Sequence, residues 1–506
     1  VEKFNTAQKG KISVRKTGDI FARVQRTSSA YTDEDGNLIE NPTTYTPVFE
    51  TGNLAGAVFQ VIASEDIITA DGTVRAKAGD VVAEITTDEN GYAETDLLYL
   101  GKYEVKEITA PNGYVLNSKS QFIELVYAGQ EIEVRDTVNA AFVNDYQRVE
   151  ISLEKILEQD ETFGIGTNEE YKSVRFGLFA EEEITAADGT EIPANGLISE
   201  ISLDENMKAV FSVKLPFAKY YVREITADEH YILGDKKYSF DFTYQGQETE
   251  AVCIDCGEFE NRLKRGTVKG LKLDENNEPL VNAVFGLFKP DCTEFTEENA
   301  LMTAKSNDKG CFSFADIPFG EFLVCEIEAP TGYILSDKVY QVNITEDGQT
   351  VEITAENKPI TVEFSKRDTE GNELKGAKLQ IVDEKGNVIE EWISDGTNHI
   401  VKKLKAGKYV LTETAAPDGY EIATDISFEV FEDGTVKAGN TETVAVSKDG
   451  NPLIVMVDEA EEKQITPQTG DNRSKLPGIL LTGTGLSILV ILILKSRKKN
   501  GGKDEK

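Results

Sequence analysis

Short runs in which apolar and polar residues alternate occur along almost the whole chain of 506 residues. Successive side chains of a β-strand point to opposite faces of a sheet, so residues two apart share a face. Acidic and glycine-containing turns separate the runs, such as DENGY at 88–92 and DEKGN at 383–387. No long stretch with helical periodicity precedes the C-terminal segment. The pattern predicts an all-β chain of short strands, as in β-sandwich domains.

One combination of residues recurs four times at the ends of such runs. In each repeat a lysine ends an early run, a glutamate ends a later one, and an asparagine or aspartate ends the last. The four sets are Lys16, Glu107 and Asn144; Lys155, Glu224 and Asn261; Lys272, Glu326 and Asn357; and Lys366, Glu413 and Asp458. Nearly all share a face with an apolar residue two positions earlier, as Glu107 does with Val105. If those apolar neighbours face a core, the polar groups are buried and must pair, lose their charge or react.

The glutamates lie in four similar segments. These are YEVKEITAPNGYVL (103–116), YVREITADEHYIL (221–233), FLVCEIEAPTGYIL (322–335) and YVLTETAAPDGYEI (409–422). A second motif precedes each of them, in LAGAVFQVI (54–62), VRFGLF (174–179), LVNAVFGLF (280–288) and LKGAKLQIV (374–382). The glutamate segments resemble the E-box of Gram-positive pilins and surface adhesins, which is carried by prealbumin-like domains of the Cna-B or SpaA type. The second segment departs most, since Asp228 and Glu229 replace its Ala-Pro neighbourhood. Four copies in order make the resemblance more specific than a single motif.

The resemblance implies tandem prealbumin-like Greek-key β-sandwiches of the Cna-B type. We expect four repeats and a C-terminal sorting region, with boundaries at 1–147, 148–263, 264–359, 360–463 and 464–506. Only nine to eleven residues separate each of the first three acceptor asparagines from the next lysine. Such short connections predict a rod of stacked domains.

The resemblance also implies chemistry within each repeat. In the Cna-B family the matching lysine and asparagine form an intramolecular isopeptide bond, and the glutamate promotes it. The implied cross-links are Lys16–Asn144, Lys155–Asn261, Lys272–Asn357 and Lys366–Asp458, promoted by Glu107, Glu224, Glu326 and Glu413. Burial supports this chemistry, because it lowers a lysine pKa and raises a glutamate pKa, which favours a neutral nucleophile and a protonated acid. The alternative interpretation is a buried Lys–Glu ion pair, which leaves the recurring asparagine or aspartate unexplained.

Composition narrows the possible partners. The formal charge of −37 excludes nucleic acid as a natural partner, because binding phosphate requires a basic surface. The acidic turns lack a complete calcium-binding loop, and Cys253 and Cys256 have only half of a zinc-ribbon spacing. We therefore expect no cofactor, no metal and no enzyme activity beyond self-cross-linking. Cys311 and Cys325 both fall on the outward parity, but in a prealbumin-like sandwich their strands belong to opposite sheets, so we expect free thiols.

The C-terminus predicts where the protein resides. TPQTG at 466–470 resembles the LPxTG sorting signal, with Thr466 in place of leucine. The apolar segment 476–494 is long enough to span a bilayer of ~30 Å, and the basic residues after it place the tail in the cytoplasm. The resemblance implies that a sortase cleaves between Thr469 and Gly470 and joins the threonine to a peptidoglycan or pilin amine. The alternative is a permanent single-pass anchor.

These observations predict a wall-anchored surface protein of a Gram-positive bacterium, inserted in the membrane before sorting. It would act as a stalk or as a minor, tip-proximal pilin. Two alternatives stay open. A repeat could itself be an adhesin for a host matrix or cell-surface ligand, and the first is the best candidate because it carries an insertion around 26–52. The chain could instead be a polymerising pilin shaft subunit, although its sequence has no YPK-type lysine motif.

Overall fold

The computed structural model describes residues 6–28, 30–32, 38–40, 42–439 and 444–462. The predicted turn at 33–37 and the whole sorting region at 464–506 lie outside the described residues. In the part of the chain that is described, no helix has the length and apolar character needed to cross a membrane.

The described residues form β-strands and one short 3₁₀ helix, which confirms the all-β prediction. The first repeat contains β1 (Lys9–Thr27), β2 (Ala30–Thr32), β3 (Leu38–Glu40), β4 (Thr44–Asn53), β5 (Val58–Ala63), β6 (Ile67–Ile68), β7 (Val74–Ala76), β8 (Val81–Thr86), β9 (Tyr92–Glu94), β10 (Leu98–Tyr99), β11 (Gly101–Thr109), β12 (Gln121–Leu125) and β13 (Val134–Asn144). The second contains β14 (Arg148–Leu157), the 3₁₀ helix (Glu170–Ser173), β15 (Arg175–Ala180), β16 (Ile184–Thr185), β17 (Glu191–Ile192), β18 (Leu197–Ser202), β19 (Lys208–Phe211), β20 (Ala218–Thr226), β21 (Lys237–Phe242) and β22 (Ala251–Asn261).

The third and fourth repeats are shorter. The third contains β23 (Arg265–Asp274), β24 (Val284–Phe288), β25 (Met302–Lys305), β26 (Cys311–Pro318), β27 (Gly320–Glu328), β28 (Val339–Ile344) and β29 (Thr350–Asn357). The fourth contains β30 (Thr361–Asp368), β31 (Lys375–Asp383), β32 (Val388–Asp395), β33 (His399–Lys402), β34 (Gly407–Ala415), β35 (Ile426–Val430), β36 (Val436–Ala438), β37 (Ala445–Val446) and β38 (Pro452–Asp458).

Each repeat consists of two sheets that enclose an apolar core. One sheet holds the first and last strands side by side and parallel, as β1 with β13, β14 with β22, β23 with β29 and β30 with β38. The other sheet pairs the glutamate strand with the strand of the second motif, as β11 with β5, β20 with β15, β27 with β24 and β34 with β31. The tandem sandwiches predicted from the sequence are thereby confirmed.

The core of each repeat is made by alternate residues of these strands. In the first repeat Val14, Phe59, Val105 and Phe142 are all buried in one cluster. Burying one such side chain contributes about 1.5–3 kcal/mol relative to leaving it exposed. The lysine, glutamate and acceptor side chains continue the same faces and are buried with them.

The third repeat buries a cysteine outside its core. Cys311 and Cys325 were both predicted to face outward, and Cys325 does lie outside the core cluster, but it is only 3% exposed. Residues 289–301 cover the outer face of the sheet there, since Phe288 lies over Gly286, the neighbour of Cys325 in the ladder. Cys311 is exposed in the opposite sheet, and all five cysteines are free thiols.

A long two-stranded ribbon connects the first repeat to the second. Strands β1 and β4 stay paired beyond the first core, and Thr44 of β4 pairs with Leu197 of β18. Phe21, Val24 and Tyr45 of the ribbon pack against the core of the second repeat. Part of the insertion expected around 26–52 therefore braces the junction between the two repeats.

Candidate functional site

Strand register places each lysine beside its acceptor residue. In each parallel pair of terminal strands, the acceptor lies opposite the residue two positions after the lysine. These opposed pairs are Gly18 with Asn144, Leu157 with Asn261, Asp274 with Asn357 and Asp368 with Asp458. Because residues two apart share a face, lysine and acceptor are diagonal neighbours on the side that faces the core.

The first site brings together three buried polar side chains. Lys16 Nζ contacts Asn144 Oδ1 and lies 3.1 Å from Glu107 Oε1. Asn144 Nδ2 donates a hydrogen bond of 3.0 Å to the same Glu107 oxygen. Burial lowers the pKa of Lys16, and the nearby Glu107 charge opposes that shift. The amine is therefore held against the amide with its neutral form favoured.

The third site repeats this geometry. Lys272 Nζ contacts Asn357 Oδ1 and lies 3.3 Å from Glu326 Oε1, to which Asn357 Nδ2 donates at 2.9 Å. Burial lowers the pKa of Lys272 and raises the pKa of Glu326, because an apolar environment disfavours both charged forms. Both shifts favour a neutral amine next to a protonated acid.

The second site differs in one contact. Lys155 Nζ lies 3.2 Å from Glu224 Oε1, and Asn261 Nδ2 donates to that oxygen at 2.8 Å. Burial lowers the pKa of Lys155, as in the first and third sites. However, Asn261 Oδ1 accepts no hydrogen bond from any described residue, and Lys155 Nζ donates none. The three predicted residues are close together, but no hydrogen bond joins the amine to the acceptor carbonyl.

The fourth site has a carboxyl group as its acceptor. Lys366 Nζ contacts Asp458 Oδ1 and lies 3.0 Å from Glu413 Oε2. Burial raises the pKa of Asp458, and the lysine partly offsets this. A raised pKa favours the neutral carboxylic acid, which is the form that can lose water to an amine.

A backbone donor at each site was not identified from the sequence. The residue ten positions after each glutamate donates its backbone N–H to Oε2 of that glutamate, and we call this residue the donor position. The four bonds are from Asn117 to Glu107 at 2.9 Å, Gly234 to Glu224 at 2.9 Å, Ser336 to Glu326 at 3.1 Å and Ala423 to Glu413 at 2.7 Å. The constant spacing of ten residues is the signal that could have revealed it.

The loop that carries the donor position is fixed in the same way in every repeat. Its tyrosine forms a β-bridge to the residue two positions after the acceptor, in the pairs Tyr114–Tyr146, Tyr231–Leu263, Tyr333–Pro359 and Tyr420–Ala460. The donor N–H holds one glutamate oxygen, which in the first three sites leaves Oε1 to face the lysine and the acceptor amide. The loop thus orients the glutamate.

An aromatic wall also lines three of the sites. Phe59, Phe176 and Phe285 lie opposite the glutamate in the strand ladder, and their ring centres are 5.8, 5.9 and 5.6 Å from the lysine nitrogen. Leu379 takes this place in the fourth site. These residues belong to the second recurring motif, which was visible in the sequence although its role was not. The three phenylalanines contribute to the burial that lowers the pKa values of Lys16, Lys155 and Lys272.

The acidic turns use their side chains locally. Asp88 Oδ1 accepts bonds from the backbone N–H groups of Asn90 and Tyr92 at 2.9 and 3.0 Å. Among the described residues, no group of three or more His, Cys, Asp or Glu side chains could hold a metal ion. The predicted sortase residues Thr469 and Gly470 lie outside the described part of the chain.

Comparisons with known proteins agree with this architecture. The family model described as "SpaA: Prealbumin-like fold domain" matches residues 47–138, 266–359 and 360–443, together more than half of the chain. The chain has no match among curated proteins. The Bacillus anthracis TIE protein is 19% identical, with a TM-score of 0.40 over 87% of this chain and 75% of that one. BcpA, the major pilin subunit of Bacillus cereus, is 17% identical, with a TM-score of 0.31 over 70% of this chain and 100% of that one. The family matches confirm the prealbumin-like fold.

Proposed function

This chain belongs to the family of SpaA prealbumin-like fold domains, and from that premise we propose that it is a structural surface protein whose repeats cross-link themselves. The observation that carries the proposal is the set of four buried lysine–glutamate–acceptor sites between the first and last strands. An ion pair alone would need only the lysine and the glutamate. The acceptor amide or acid at every site, in contact with the lysine at three of them, favours bond formation.

The proposed reaction uses only groups of the site. Lys272 Nζ attacks Cγ of Asn357, the Nζ–Cγ bond forms and the Cγ–Nδ2 bond breaks. Glu326, whose neutral form is favoured by burial, donates a proton to the amide and takes one from the amine, and the amide nitrogen leaves as ammonia. Folding supplies the proximity that makes an amide reactive toward an amine, since held reactants can reach effective molarities of about 10⁵ M or more.

The links would change how the chain carries tension. Each link joins the start of a repeat to its end, across sequence separations of 128, 85 and 92 residues in the first, third and fourth repeats. Force on the two ends would then pass along the terminal strands and the short connections, while the residues between lysine and acceptor carry none. By analogy with disulfides, closing loops of this size contributes about 4–5 kcal/mol each in the chain-entropy model. A stalk or minor pilin exposed to shear needs this property.

Stretching the full chain by its two ends tests the mechanical role. In the wild type the third repeat should not lengthen, whereas Asn357→Ala should release its 85 residues as a step of roughly 300 Å, from ~3.5 Å per extended residue. Glu356→Ala is the matched control, because Glu356 is the exposed neighbour of Asn357 on the same strand. A step of the same length in the wild type would show that the link does not carry the tension.

We further propose that a sortase attaches the protein to the cell wall or to a pilin amine through Thr469. The support is the order of TPQTG, apolar segment and basic tail in the sequence. Thr469→Ala should leave the protein in the membrane fraction, while wild-type protein released by wall digestion should end at Thr469. Residues 471–506 on wall-released protein would instead indicate a permanent membrane anchor.

The ribbon at the first junction bears on the adhesin alternative. Phe21, Val24 and Tyr45 are used in packing against the second repeat, and Val24 N–H donates to Thr190 Oγ1 at 2.7 Å. These contacts favour a bracing role for this part of the insertion. A solid-phase screen of the chain with and without substitutions in the ribbon would detect a host-ligand site there.

A further inference from the structure

The acceptor carbonyl of the second site points into a space that a side chain would fill. A Cβ atom on Gly234 would lie 2.9 Å from Asn261 Oδ1 and 2.8 Å from Glu224 Oε2. Both distances are below 3.0 Å, a separation that real Cβ atoms essentially never undercut. The carbonyl of Asn261 therefore occupies its position only because residue 234 lacks a side chain.

The backbone does not require glycine at this position. Gly234 is not among the residues with positive φ, the region that favours glycine. The other three donor positions carry Asn117, Ser336 and Ala423, and each makes the same N–H bond to its glutamate. At those three sites the lysine forms a hydrogen bond with the acceptor oxygen, and at the glycine site it forms none.

We propose that the donor position is a positioning residue for the acceptor, and that Gly234 keeps the second repeat unlinked. This inference rests on the cross-linking proposed above. A Cβ at the donor position excludes the acceptor oxygen from the space behind the glutamate and directs it toward the lysine. Without that Cβ, Asn261 Oδ1 turns away from Lys155, and the amine lies against the glutamate alone.

A side chain at residue 234 should therefore complete the second site. In Gly234→Ala the carbonyl moves to the lysine side, which brings Cγ of Asn261 within reach of Lys155 Nζ. The Nζ–Cγ bond then forms, the Cγ–Nδ2 bond breaks, and ammonia leaves with a proton that passes from the amine through Glu224. Each linked molecule loses one further ammonia.

The test is peptide mapping by mass spectrometry of the full chain, with the extent of linking measured separately in each repeat. In the wild type we expect the Lys16–Asn144 and Lys272–Asn357 peptides to be joined and the Lys155–Asn261 peptides to be separate. In Gly234→Ala and in Gly234→Ser the Lys155–Asn261 peptides should be joined to the extent seen in the third repeat. They should stay separate in Asp235→Ala, which changes the exposed neighbour, and in Gly234→Ala combined with Glu224→Ala.

A reciprocal variant guards against a folding defect in the second repeat. Ser336→Gly removes the Cβ from the donor position of the third site and should lower the linked fraction of Lys272–Asn357 at least several-fold. If the wild-type chain is fully linked in the second repeat as well as in the first and third, the inference is wrong but the proposed function stands. The same conclusion follows if the third repeat of Ser336→Gly is linked to the same extent as in the wild type. Absence of links in every repeat would overturn both.

Discussion

The second and third repeats have the same loop after the glutamate strand although its sequence differs. Their sites differ although both contain lysine, glutamate and asparagine. Asp228 stands in the second repeat where Pro330 stands in the third, yet both accept the backbone N–H of the tyrosine three residues later, each at 3.0 Å. The loops then make the same bridges to the last strand. Lysine, glutamate and asparagine are common to both sites, but only Lys272 forms a hydrogen bond with its acceptor oxygen. The second repeat therefore keeps the loop conformation although its motif departs from the others. The absence of one Cβ can still alter a site whose reacting residues are all present.

The largest expected effect comes from removing the glutamate of the complete site. Glu326→Ala should leave the third repeat folded but unlinked, with its ammonia retained. Losing a link worth about 4–5 kcal/mol should lower the melting temperature of a domain of this size by roughly 15 °C or more. Calorimetry of the full chain, with peptide mapping to identify the repeat, provides the measurement.

Glu328→Ala is the matched control, since Glu328 is exposed on the same strand. It should change neither the mass nor the melting temperature appreciably. Normal linking in Glu326→Ala would show that the carboxyl group is only an ion-pair partner.

A smaller effect is expected from pH in an unlinked third site. In Asn357→Ala, Lys272 stays a buried amine whose pKa lies below the value of 10.5 that it has when exposed in the unfolded chain. Between these two pKa values the unfolded chain binds more protons, so the free energy of unfolding rises as pH rises toward 10.5. The linked wild type has no such amine. The melting temperature of the variant should therefore approach that of the wild type as the pH rises toward 10.5.

Glu326 should not disturb this comparison. Its raised pKa stabilises the folded state in acid, and this stabilisation is lost as the pH rises, but Glu326 is present in both proteins. A gap between the two melting temperatures that widens toward alkaline pH would mean that Lys272 is charged in the folded variant.

The smallest effect is expected at the fourth site. Asp458→Asn should replace the loss of water by the loss of ammonia and yield the same Lys–acceptor amide. Because the product is identical, the melting temperature should match that of the wild type within experimental error. Retention of the ammonia would show that the fourth site is not a linking site.

Local alternation explains why most of the site could be predicted from the sequence. Val105 and Glu107 share a face, as do Phe142 and Asn144, so burial of one implied burial of the other, and the structure places all of them inside. The strands, the all-β class and the burial of the polar groups follow from patterns of two-residue period, which depend on neighbours along the chain. That the lysine, the glutamate and the acceptor of one repeat lie together was implied by the resemblance to Cna-B domains, since these residues are far apart in sequence.

Contacts between distant segments were not predictable in this way. Cys325 is buried because residues 289–301 cover its face of the sheet, and alternation within its own strand carries no information about that. The pairing of Thr44 with Leu197 likewise joins different repeats. The donor position binds the glutamate through its backbone N–H, a bond that four different residue types make, so only the spacing marked it.

The intact mass of the folded full chain shows whether the repeats join their own terminal strands covalently. We expect a mass below that of the sequence by one ammonia for Lys16–Asn144, one ammonia for Lys272–Asn357 and one water for Lys366–Asp458. Peptide mapping should place each loss at its own site and find none at Lys155–Asn261. A mass equal to that of the unmodified sequence would mean that no repeat is covalently linked.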